Sequence, residues 1–467
     1  MRLLCNHYAF TPTTTTNISS DRVTSTSHVL PPVSRLGSAE VSDKVIAGVF
    51  EAPIGMDELE LKLPLEIVEV IIRAVDDSRD LKACALSCSY LRQVCQRRLF
   101  QNLRIDCDND ETAFLEGGLV YTIARTDRHV EVLSLIRWLR IENQYGGLGG
   151  QGGMDQLLGR FLTKLVALEA LELRGAGLDW TRRELVGGLI SVLQLPMLRE
   201  LRLARLERFP LPLLLWGRAL QKVGLENVLF MRSATSGPEV PLVLPSLAEL
   251  KMDNRGMGLS IFGLHLLSSV LGRGAFTNLK KLHLEYRDRE GDRPDDINRL
   301  LSVCQSSLED LVLLLTHDAY SSAQLYATNI RLSRLTNLRC FSTRIYITTR
   351  DGYLEEEHPF NFLRLLLCEC SPTLESIHLL CFHRFGDVGD PNAPEASGWT
   401  ELDNVLTSML GLREVSVVVC CTQCTLDQRA AHEGVYDLPM VRAREVGFQT
   451  RFTDNINTAL EEWQQRI

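Results

Sequence analysis

The chain has 467 residues, of which 45% are hydrophobic and 23% are charged, and its formal net charge is −9. These proportions are typical of a soluble globular protein, and the acidic balance argues against nucleic acid or an anionic membrane as the main partner. No apolar run reaches the roughly 18–20 residues that a membrane-spanning helix needs.

Residues 1–56 differ in composition from the rest of the chain. Residues 11–27 are mostly threonine and serine, and Pro31-Pro32 follow without apolar periodicity. Such a segment cannot bury enough apolar surface to offset the entropy of ordering, so we expect residues 1–56 to be disordered. No secretory signal is visible. Residues 1–20 lack acidic residues, as a mitochondrial presequence would, but only Arg2 supplies positive charge, so we expect a cytoplasmic or nuclear protein, or one found in both.

Residues 57–107 are expected to form three short helices. Pro64 suits a helix start because its fixed φ and missing N–H cost nothing there. Ile67 and Ile71 then recur at i and i+4 on one helix face, and Asp80 is placed to cap the second helix. Three helices of this length bury too little surface to be stable alone, so the module is expected to pack against a partner.

This segment resembles the F-box, the helical module that docks substrate receptors onto the Skp adaptor of cullin–RING ubiquitin ligases. The resemblance lies in L-P-x-E-I at residues 63–67, the paired Ile71-Ile72, D-L-K-A-C-x-L-x-C at residues 80–88 and R-L-F at residues 98–100. Residues 89–91 depart from the family, which often has an arginine and an aromatic residue there. The alternative is an ordinary helical cap of a larger domain. The adaptor contacts that the resemblance implies are Leu63, Pro64, Ile67, Ile71, Leu81, Leu86, Cys88, Leu99 and Phe100.

A glycine-rich segment at residues 146–153 contains G-x-G-x-x-G, the outline of a dinucleotide-binding loop, with Glu172 twenty residues past its last glycine. In such a fold the preceding strand runs directly into the first glycine, whereas four polar residues follow Ile141 here. We therefore interpret the segment as a surface loop. A nicotinamide-dependent enzyme is the distant alternative.

An L-x-x-L-x-L phrase returns from about residue 130 onward, and such a period decides the fold class. Clear copies begin at Leu168, Leu198, Leu247, Leu279 and Leu308, and looser copies begin at Leu225, Leu338, Leu374 and Leu412. An earlier copy is expected at residues 130–135 or 138–141. Helical patterns lie between the copies, at residues 183–195, 259–271, 296–304, 323–335, 360–368 and 400–410.

The phrases resemble the irregular leucine-rich repeats that follow an F-box. The resemblance implies an α/β fold in which the F-box precedes a curved solenoid with a parallel strand array, over residues 108–424. The asparagine that usually stands at the ninth repeat position is absent, with Ala176, Leu206 and Arg287 in its place. An unrelated α/β domain rich in leucine is the alternative.

Residues 425–467 are expected to close the end of the solenoid as a terminal cap. Asp454 could start a helix over residues 455–467, with Ile456, Leu460 and Trp463 on one face.

The cysteines and the known catalytic motifs give no strong sign of chemistry. The 13 cysteines are scattered, and buried free cysteine behaves as a small hydrophobic residue. Cys421 and Cys424 form a CxxC, but a zinc site needs a second ligand pair placed to meet it. Phosphate-loop, HExxH and GxSxG motifs are missing from the sequence. We expect neither an enzyme nor a cofactor, and zinc is kept as an alternative.

Residues beside the repeat leucines should form a concave, solvent-facing surface, because successive strand side chains point to opposite faces. Its mixture of charges suits a protein target. The candidate target-binding residues are Glu172, Arg174, Arg202, Lys251, Asp253, His283, Glu285 and His378.

The two resemblances together imply a substrate-recognition subunit of a Skp–cullin–F-box ubiquitin ligase. Its partners would be a Skp-type adaptor, a cullin–RING ligase bound through that adaptor, and an unidentified protein substrate, without nucleic acid or membrane. Ubiquitin transfer would gain from the effective concentration of the held target. The alternative function is a non-degradative protein-binding scaffold that uses the same repeats.

Overall fold

The structure is a computed structural model that describes residues 64–75, 77–87, 89–107, 118–126, 130–143, 152–175, 178–231, 246–254, 274–286, 294–315, 330–348, 359–368, 370, 372–384, 395–421, 446–453 and 455–465. The chain divides into structural units between Gly55 and Met56, and every described residue belongs to the second unit. The disorder expected for residues 1–56, the glycine segment at 146–151 and the helix expected at 259–271 lie outside the described residues.

Helices and strands alternate along most of the described chain. The helices are α1 (Leu65–Arg73), α2 (Ser78–Ser87), α3 (Ser89–Gln101), α4 (Leu119–Thr126), α5 (Val130–Leu133), α6 (Gly152–Thr163), α7 (Arg183–Leu193), α8 (Pro294–Val303), α9 (Pro359–Leu367), α10 (Glu395–Ser408) and α11 (Ile456–Gln464), with 3-10 turns at Leu211–Trp216 and Leu332–Arg334. The strands are β1 (Asn102–Asp106), β2 (Trp138–Glu142), β3 (Ala170–Arg174), β4 (Glu200–Ala204), β5 (Lys222–Glu226), β6 (Glu249–Asn254), β7 (Lys281–Tyr286), β8 (Asp310–Leu315), β9 (Cys340–Thr348), β10 (Ser376–Arg384), β11 (Glu414–Cys421) and β12 (Gly447–Thr453).

The strands form one parallel array in which each strand pairs with the next one in the sequence. The sheet has 12 strands in the order β1 to β12. Leu171 of β3 pairs with Leu201 of β4, and Leu282 of β7 pairs with Leu311 of β8, so the repeat leucines form continuous rows. This is the parallel, sequential strand array of a leucine-rich-repeat fold, in which each unit buries its apolar side against its neighbours.

The main core lies between one face of this sheet and the helices that cross it. Leu173, Leu203 and Leu284 of the strands belong to the same buried cluster as Leu189 of α7 and Leu300 of α8. The apolar face of a parallel sheet has to be shielded from water, and the helices in the connections between its strands provide that shielding. Of the helices in the described part of the chain, none is long and apolar enough to cross a bilayer.

Most repeat phrases coincide with strands, but the looser copy at Leu225 was placed in the wrong register. Strand β5 spans Lys222–Glu226, so Val223 and Leu225 take the fourth and sixth positions and Leu220 takes the first. Val228 and Phe230 lie after the strand, and Phe230 forms a single bridge to Phe209. The L-x-x-L-x-L phrase fits this segment twice, once starting at Leu220 and once starting at Leu225. The pairing of β5 with its neighbouring strands shows that the first of these registers is the one in the structure.

Of the two early alternatives, the structure has the strand at Trp138–Glu142 rather than at residues 130–135, where α5 and a turn lie. Strands β1 and β12 were not predicted as repeats. At Leu338 the sixth position is Thr343, whose Oγ1 donates a hydrogen bond of 2.7 Å to the carbonyl of Leu313. The hydroxyl is thereby satisfied inside the core.

Helices α6 and α7 approach each other closely enough to require glycine. A Cβ on Gly159 would lie 2.3 Å from the carbonyl oxygen of Glu184, and a Cβ on Gly188 would lie 2.3 Å from that of Gly159. These contacts are with backbone atoms, which cannot swing aside. We expect alanine at either position to push the two helices apart.

The helices α1, α2 and α3 have a small core of their own. Val68, Ile72, Leu81, Ala85 and Cys95 are buried in an apolar cluster separate from the main core. Helix α2 begins at Ser78, so Asp80 lies within its first turn instead of capping it.

The start of α2 is capped by Asp77. One of its carboxylate oxygens accepts a hydrogen bond of 2.7 Å from the N–H of Arg79.

Helix α11 lies on the sheet face opposite the main core, and we call it the covering helix. Its Ala459 and Trp463 are buried against Val312, Leu380 and Val418, which point away from the repeat leucines. The expected terminal cap over residues 425–467 is therefore wrong in its placement: β12 extends the sheet, and the covering helix packs across the face of β8–β11.

The prediction was also wrong about which residues of the covering helix are buried and which residue caps it. Ile456 is 45% exposed, and Ala459 joins Leu460 and Trp463 on the buried side. Asn455, rather than Asp454, is the N-cap; its side chain accepts a hydrogen bond of 2.9 Å from the N–H of Asn457. Asp454 lies outside the described residues.

Candidate functional site

The candidate site is the sheet face that does not carry the repeat leucines, which we call the open face. Its residues form rows across the strands, because parallel pairing aligns equivalent positions. Glu172 pairs with Arg202, and Lys251 pairs with His283. A neighbouring row places Asp253 beside Glu285. The sequence-predicted side chains are therefore adjacent in space, as their repeat positions indicated.

A cavity of about 590 Å³ lies on the open face. The cavity is bounded on one side by the covering helix, through Leu460, Trp463 and Gln464. Its charged lining includes six acidic and five basic side chains, so it is nearly balanced in charge. The sequence-predicted residues that line it are Glu172, Arg174, Arg202, Lys251, Asp253, His283 and Glu285.

Ion pairs fix the side chains at the edge of the cavity nearest β2. Glu172 lies 3.6 Å from Nε of Arg140 and 3.5 Å from Nε of Arg174. Arg174 also reaches Glu226 at 3.5 Å. Glu172 is only 5% exposed, so the expectation that it faces solvent is wrong; two flanking guanidinium groups cover it and compensate its burial. Glu172 thus positions Arg174 instead of presenting a free carboxylate.

At the opposite edge, Glu285 and Arg344 form a second fixed pair. Their side chains are 15% and 13% exposed, and 3.1 Å separates Oε1 of Glu285 from Nη2 of Arg344. A partly buried pair of this kind is rigid but offers little free charge to a ligand.

The accessible cations lie in the middle of the cavity. Arg202 is 62% exposed at its side chain and pairs with Glu200 of its own strand at 2.5 Å, while Lys251 is exposed. Gly224 lies between them in the same row and lacks a side chain, so a gap separates the two cations. A Cβ there would meet only the Arg202 side chain, at 3.5 Å.

His283 lies beside Lys251 and is neutral at physiological pH. Burial lowers its pKa to about 3, and the positive charges of Lys251 and Arg344 act in the same direction. A neutral imidazole can both donate and accept a hydrogen bond. His283 therefore adds polarity to the cavity without adding charge.

The open face over β8–β11 differs, because the covering helix hides it. His378 was predicted to face solvent and bind the target, but it is 4% exposed, so this prediction is wrong for the structure as it stands. Its neighbours in the row, Ser342 and Ser416, are buried with it. The indole Nε1 of Trp463 is buried and has no hydrogen-bond partner among the described residues.

Glu226, Gly224, Arg344 and Trp463 were missed as site residues by sequence reasoning. The first two belong to β5, and the corrected register of that strand would have placed them in the rows of the open face. Arg344 follows the Leu338 phrase at the position that Arg174 occupies in its own repeat. No signal in the sequence places Trp463, because its contacts depend on where the covering helix packs.

A second candidate surface lies on the helices α1 and α2. Ile67, Ile71 and Leu86, three of the predicted adaptor contacts, are 47%, 49% and 60% exposed, and Val70, which was not predicted, is 60% exposed. Exposed large apolar side chains on a small module indicate an interaction surface.

The other predicted adaptor contacts differ in accessibility. Leu81 is 5% exposed and belongs to the small core, so its predicted role in direct contact is wrong, and Leu99 packs partly against that core. Pro64 is exposed and Phe100 is half-buried. Leu63 and Cys88 lie outside the described residues.

Three thiols of the described residues are poorly suited to chemistry. Burial raises the pKa of Cys304, Cys340 and Cys381 to about 12, so these thiols stay protonated and unreactive. Within the described part of the chain, no group of three or more histidine, cysteine, aspartate or glutamate side chains is placed to hold a metal ion. Cys424 of the CxxC lies outside it.

No family model matches the chain, and no curated protein matches it. Among solved structures, an internalin from Listeria monocytogenes is similar at 13% sequence identity, covering 69% of this chain and 77% of that chain, with a TM-score of 0.24. A similarity at this level does not bear on function. The description of the fold as a leucine-rich-repeat array depends on the strands and their register.

Proposed function

We propose that the protein is the substrate-recognition subunit of a Skp–cullin–F-box ubiquitin ligase. The exposed apolar side chains of α1 and α2 would bind the adaptor, and the cavity on the open face would bind a protein target. The protein would catalyse no step itself and would need no cofactor. Its role would be to hold the target near the ligase, which raises the effective concentration of the reacting groups.

The observation that carries this proposal is the separation of two unlike surfaces on one chain. The surface on the small module is apolar and exposed, whereas the cavity on the open face is polar and carries charges of both signs. An apolar surface suits a partner that stays bound, such as an adaptor. A surface with charges of both signs gives specificity for a particular target. The F-box resemblance in residues 63–100 supports a Skp-type adaptor as the first partner.

The test is adaptor binding by the full chain carrying Ile67→Asp. Placing a carboxylate in an apolar contact costs several kcal/mol, so we expect binding to a purified Skp-type adaptor to be lost. Val166→Asp is the matched control, because Val166 is 57% exposed but lies outside the small module. Adaptor binding that survives Ile67→Asp would contradict the F-box assignment.

The scaffold alternative predicts a different result in cells. As a ligase subunit, the wild type should shorten the lifetime of a captured target in a proteasome-dependent manner, and Ile67→Asp should abolish this effect while target capture persists. A scaffold would capture the target without changing its lifetime. We expect the protein in the cytoplasm, the nucleus or both, where the ligase acts.

A further inference from the structure

Charges of opposite sign alternate along the rows of the open face. In the row nearest the starts of the strands, the side-by-side residues on β4–β8 are Glu200, Lys222, Glu249, Lys281 and Asp310. Two neighbouring pairs within this row are ion pairs: Lys222 with Glu249 at 3.2 Å, and Lys281 with Asp310 at 3.5 Å. Because adjacent strands lie about 4.8 Å apart, opposite charges at neighbouring positions of a row attract each other. Alternation therefore lets each cation of the row meet a carboxylate.

The next row follows the same alternation and then breaks at one position. It begins with Arg140, Glu172 and Arg202 on β2–β4, where the signs alternate and Glu172 lies 3.6 Å from Arg140. A carboxylate at the following position, on β5, would continue the pattern, but the residue there is Gly224. Lys251 follows on β6. The row therefore has two cations that flank a position without a side chain.

Lys251 is the cation that this break leaves without a carboxylate. The other four basic side chains that line the cavity have carboxylate partners at 3.5, 2.5, 3.2 and 3.1 Å, in the pairs Arg174–Glu172, Arg202–Glu200, Lys222–Glu249 and Arg344–Glu285. Among the residues that the structure describes, the ammonium group of Lys251 has no ion-pair or hydrogen-bond partner. Asp253, two residues along β6 on the same face, forms no ion pair with it. The next residue of the row, His283, is neutral and adds no negative charge.

The space above Gly224 is open to the cavity. A Cβ on Gly224 would have within 4 Å only the Cγ and Cβ atoms of Arg202, at 3.5 and 4.0 Å, which are ordinary van der Waals distances. Gly224 itself lines the cavity, whose volume is about 590 Å³. Arg202 and Lys251 are two strand spacings apart, about 10 Å between their backbones. Both side chains are exposed, so both cations are accessible from the cavity.

We propose that the target protein places an aspartate or glutamate side chain above Gly224, where its carboxylate contacts Lys251 and Arg202. That carboxylate completes the alternation of the row. One ammonium group lacks a partner and one carboxylate supplies one negative charge, whereas a phosphate ester carries about −1.5 to −2 charges at pH 7. Leu314, Leu460 and Trp463 give the same cavity an apolar wall, so we expect an apolar residue near the acidic one. This inference rests on the proposed function, which assigns the cavity to target binding.

The first test needs no target, because the missing carboxylate can be supplied by the chain itself. Gly224→Asp in the full chain should have a melting temperature about 1–2 °C above that of Gly224→Asn, which has the same shape without the charge. Salt at about 1 M should remove this difference by screening, and so should Lys251→Gln combined with either variant. Equal melting temperatures of the two Gly224 variants at low salt would overturn the inference.

The second test uses a phage-displayed library of random peptides as the probe and the full chain as the bait. Peptides that the wild type selects should be enriched in aspartate or glutamate, and changing that residue to its amide should weaken binding at least about tenfold. Lys251→Gln should weaken the acidic peptide by a similar factor but the amide peptide hardly at all. Lys281→Gln is the control, because Lys281 is an exposed lysine of the next strand that pairs with Asp310 and does not line the cavity.

Several results of the peptide experiment would overturn the inference. These are selected peptides without an acidic residue, a library from which the wild type selects no peptide, and equal weakening by Lys251→Gln and Lys281→Gln. A phosphoserine peptide that binds more than about tenfold tighter than the acidic peptide would assign the position to phosphate instead. Ile67 does not line this cavity, so adaptor binding and target lifetime test the ligase role separately. The two proposals can therefore fail independently.

Discussion

The open face is made of two regions built on the same strand array but with different chemistry. Over β2–β7, which we call the charged half, outward residues such as Glu172 and Lys251 line an accessible cavity. Over β8–β11, the covered half, Leu314, Leu380 and Val418 occupy the outward positions and are buried under the covering helix. The inward leucines are alike in both regions. The comparison shows that the repeat constrains the inward residues to be apolar but leaves the outward residues free to vary. In one half the outward residues line a cavity, and in the other they pack against the covering helix.

The charge pattern changes at β8 and β9, where the two halves meet. Leu314 pairs with Glu285 on one side and with Arg344 on the other, so an apolar side chain stands within a row of charged ones. Leu314 also lines the cavity together with Trp463. The covering helix therefore forms a wall of the charged cavity as well as a lid over the apolar strands.

The largest expected effect comes from removing the side chain that anchors the covering helix. Trp463 is 2% exposed, and truncating a buried Trp costs about 3–5 kcal/mol. Trp463→Ala should release the covering helix, which hydrogen exchange of amides 456–464 would detect as lost protection. Binding of a hydrophobic dye should rise as Leu380 and Val418 become exposed.

Ile456→Ala is the control for this substitution. Ile456 lies on the same helix but is 45% exposed, so its truncation should change stability by less than about 1 kcal/mol. Full amide protection in the Trp463→Ala protein would contradict the assignment of the covered half.

A smaller effect is expected from His283 in the charged half when the pH falls. Its folded pKa of about 3 is below its ordinary value of 6.5, so the unfolded chain takes up a proton first. The stability linked to this histidine is complete above pH 6.5 and is lost as the pH falls from 6.5 toward 3. Between pH 7 and pH 5 the free energy of unfolding of the wild type should fall by on the order of 1–2 kcal/mol more than that of the His283→Gln variant.

Denaturant unfolding of both proteins at the two pH values measures this difference. The same pH dependence in wild type and His283→Gln would show that the imidazole is not shielded as described.

The smallest effect on stability is expected from reversing the exposed cations of the charged half. Arg202→Glu and Lys251→Glu should each change the free energy of unfolding by about 0.5 kcal/mol or less. They should nevertheless release a target that the wild type captures, since like charges across an interface are strongly unfavourable. Arg413→Glu is the control. If the reversed proteins still capture the target, the charged half is not the binding region.

The strand array could be predicted because its signal is local. Leucines at the first, fourth and sixth positions give the alternation of a buried strand, and at Leu168, Leu198 and Leu279 the structure has that strand where the pattern places it. The register failed at Leu225, where apolar residues match the phrase twice. Strand pairing, which is not local, resolves the choice in favour of Leu220.

The site was harder to predict because burial of its outward residues depends on distant parts of the chain. The outward positions of Lys251 and His378 are equivalent in the repeat, yet the first is exposed and the second is buried. His378 lies in the covered half, where the covering helix docks on the apolar outward residues Leu380 and Val418. Their apolar character is visible in the sequence and predicts that something packs on this face. The sequence pattern does not show that a helix of the same chain packs there.

The covering helix also has a consequence for biosynthesis. In a sequential array each strand finds its neighbour soon after it is made, and Val312 and Leu314 of β8 can join the sheet well before residues 456–464 exist. Until then the outward apolar side chains of β8–β11 face water. A ribosome that stalls between β11 and the covering helix would leave a nearly complete array with an exposed apolar face, which chaperones and proteases recognise. The apolar face of β8–β11 therefore becomes buried only after the chain has been synthesised through residue 464.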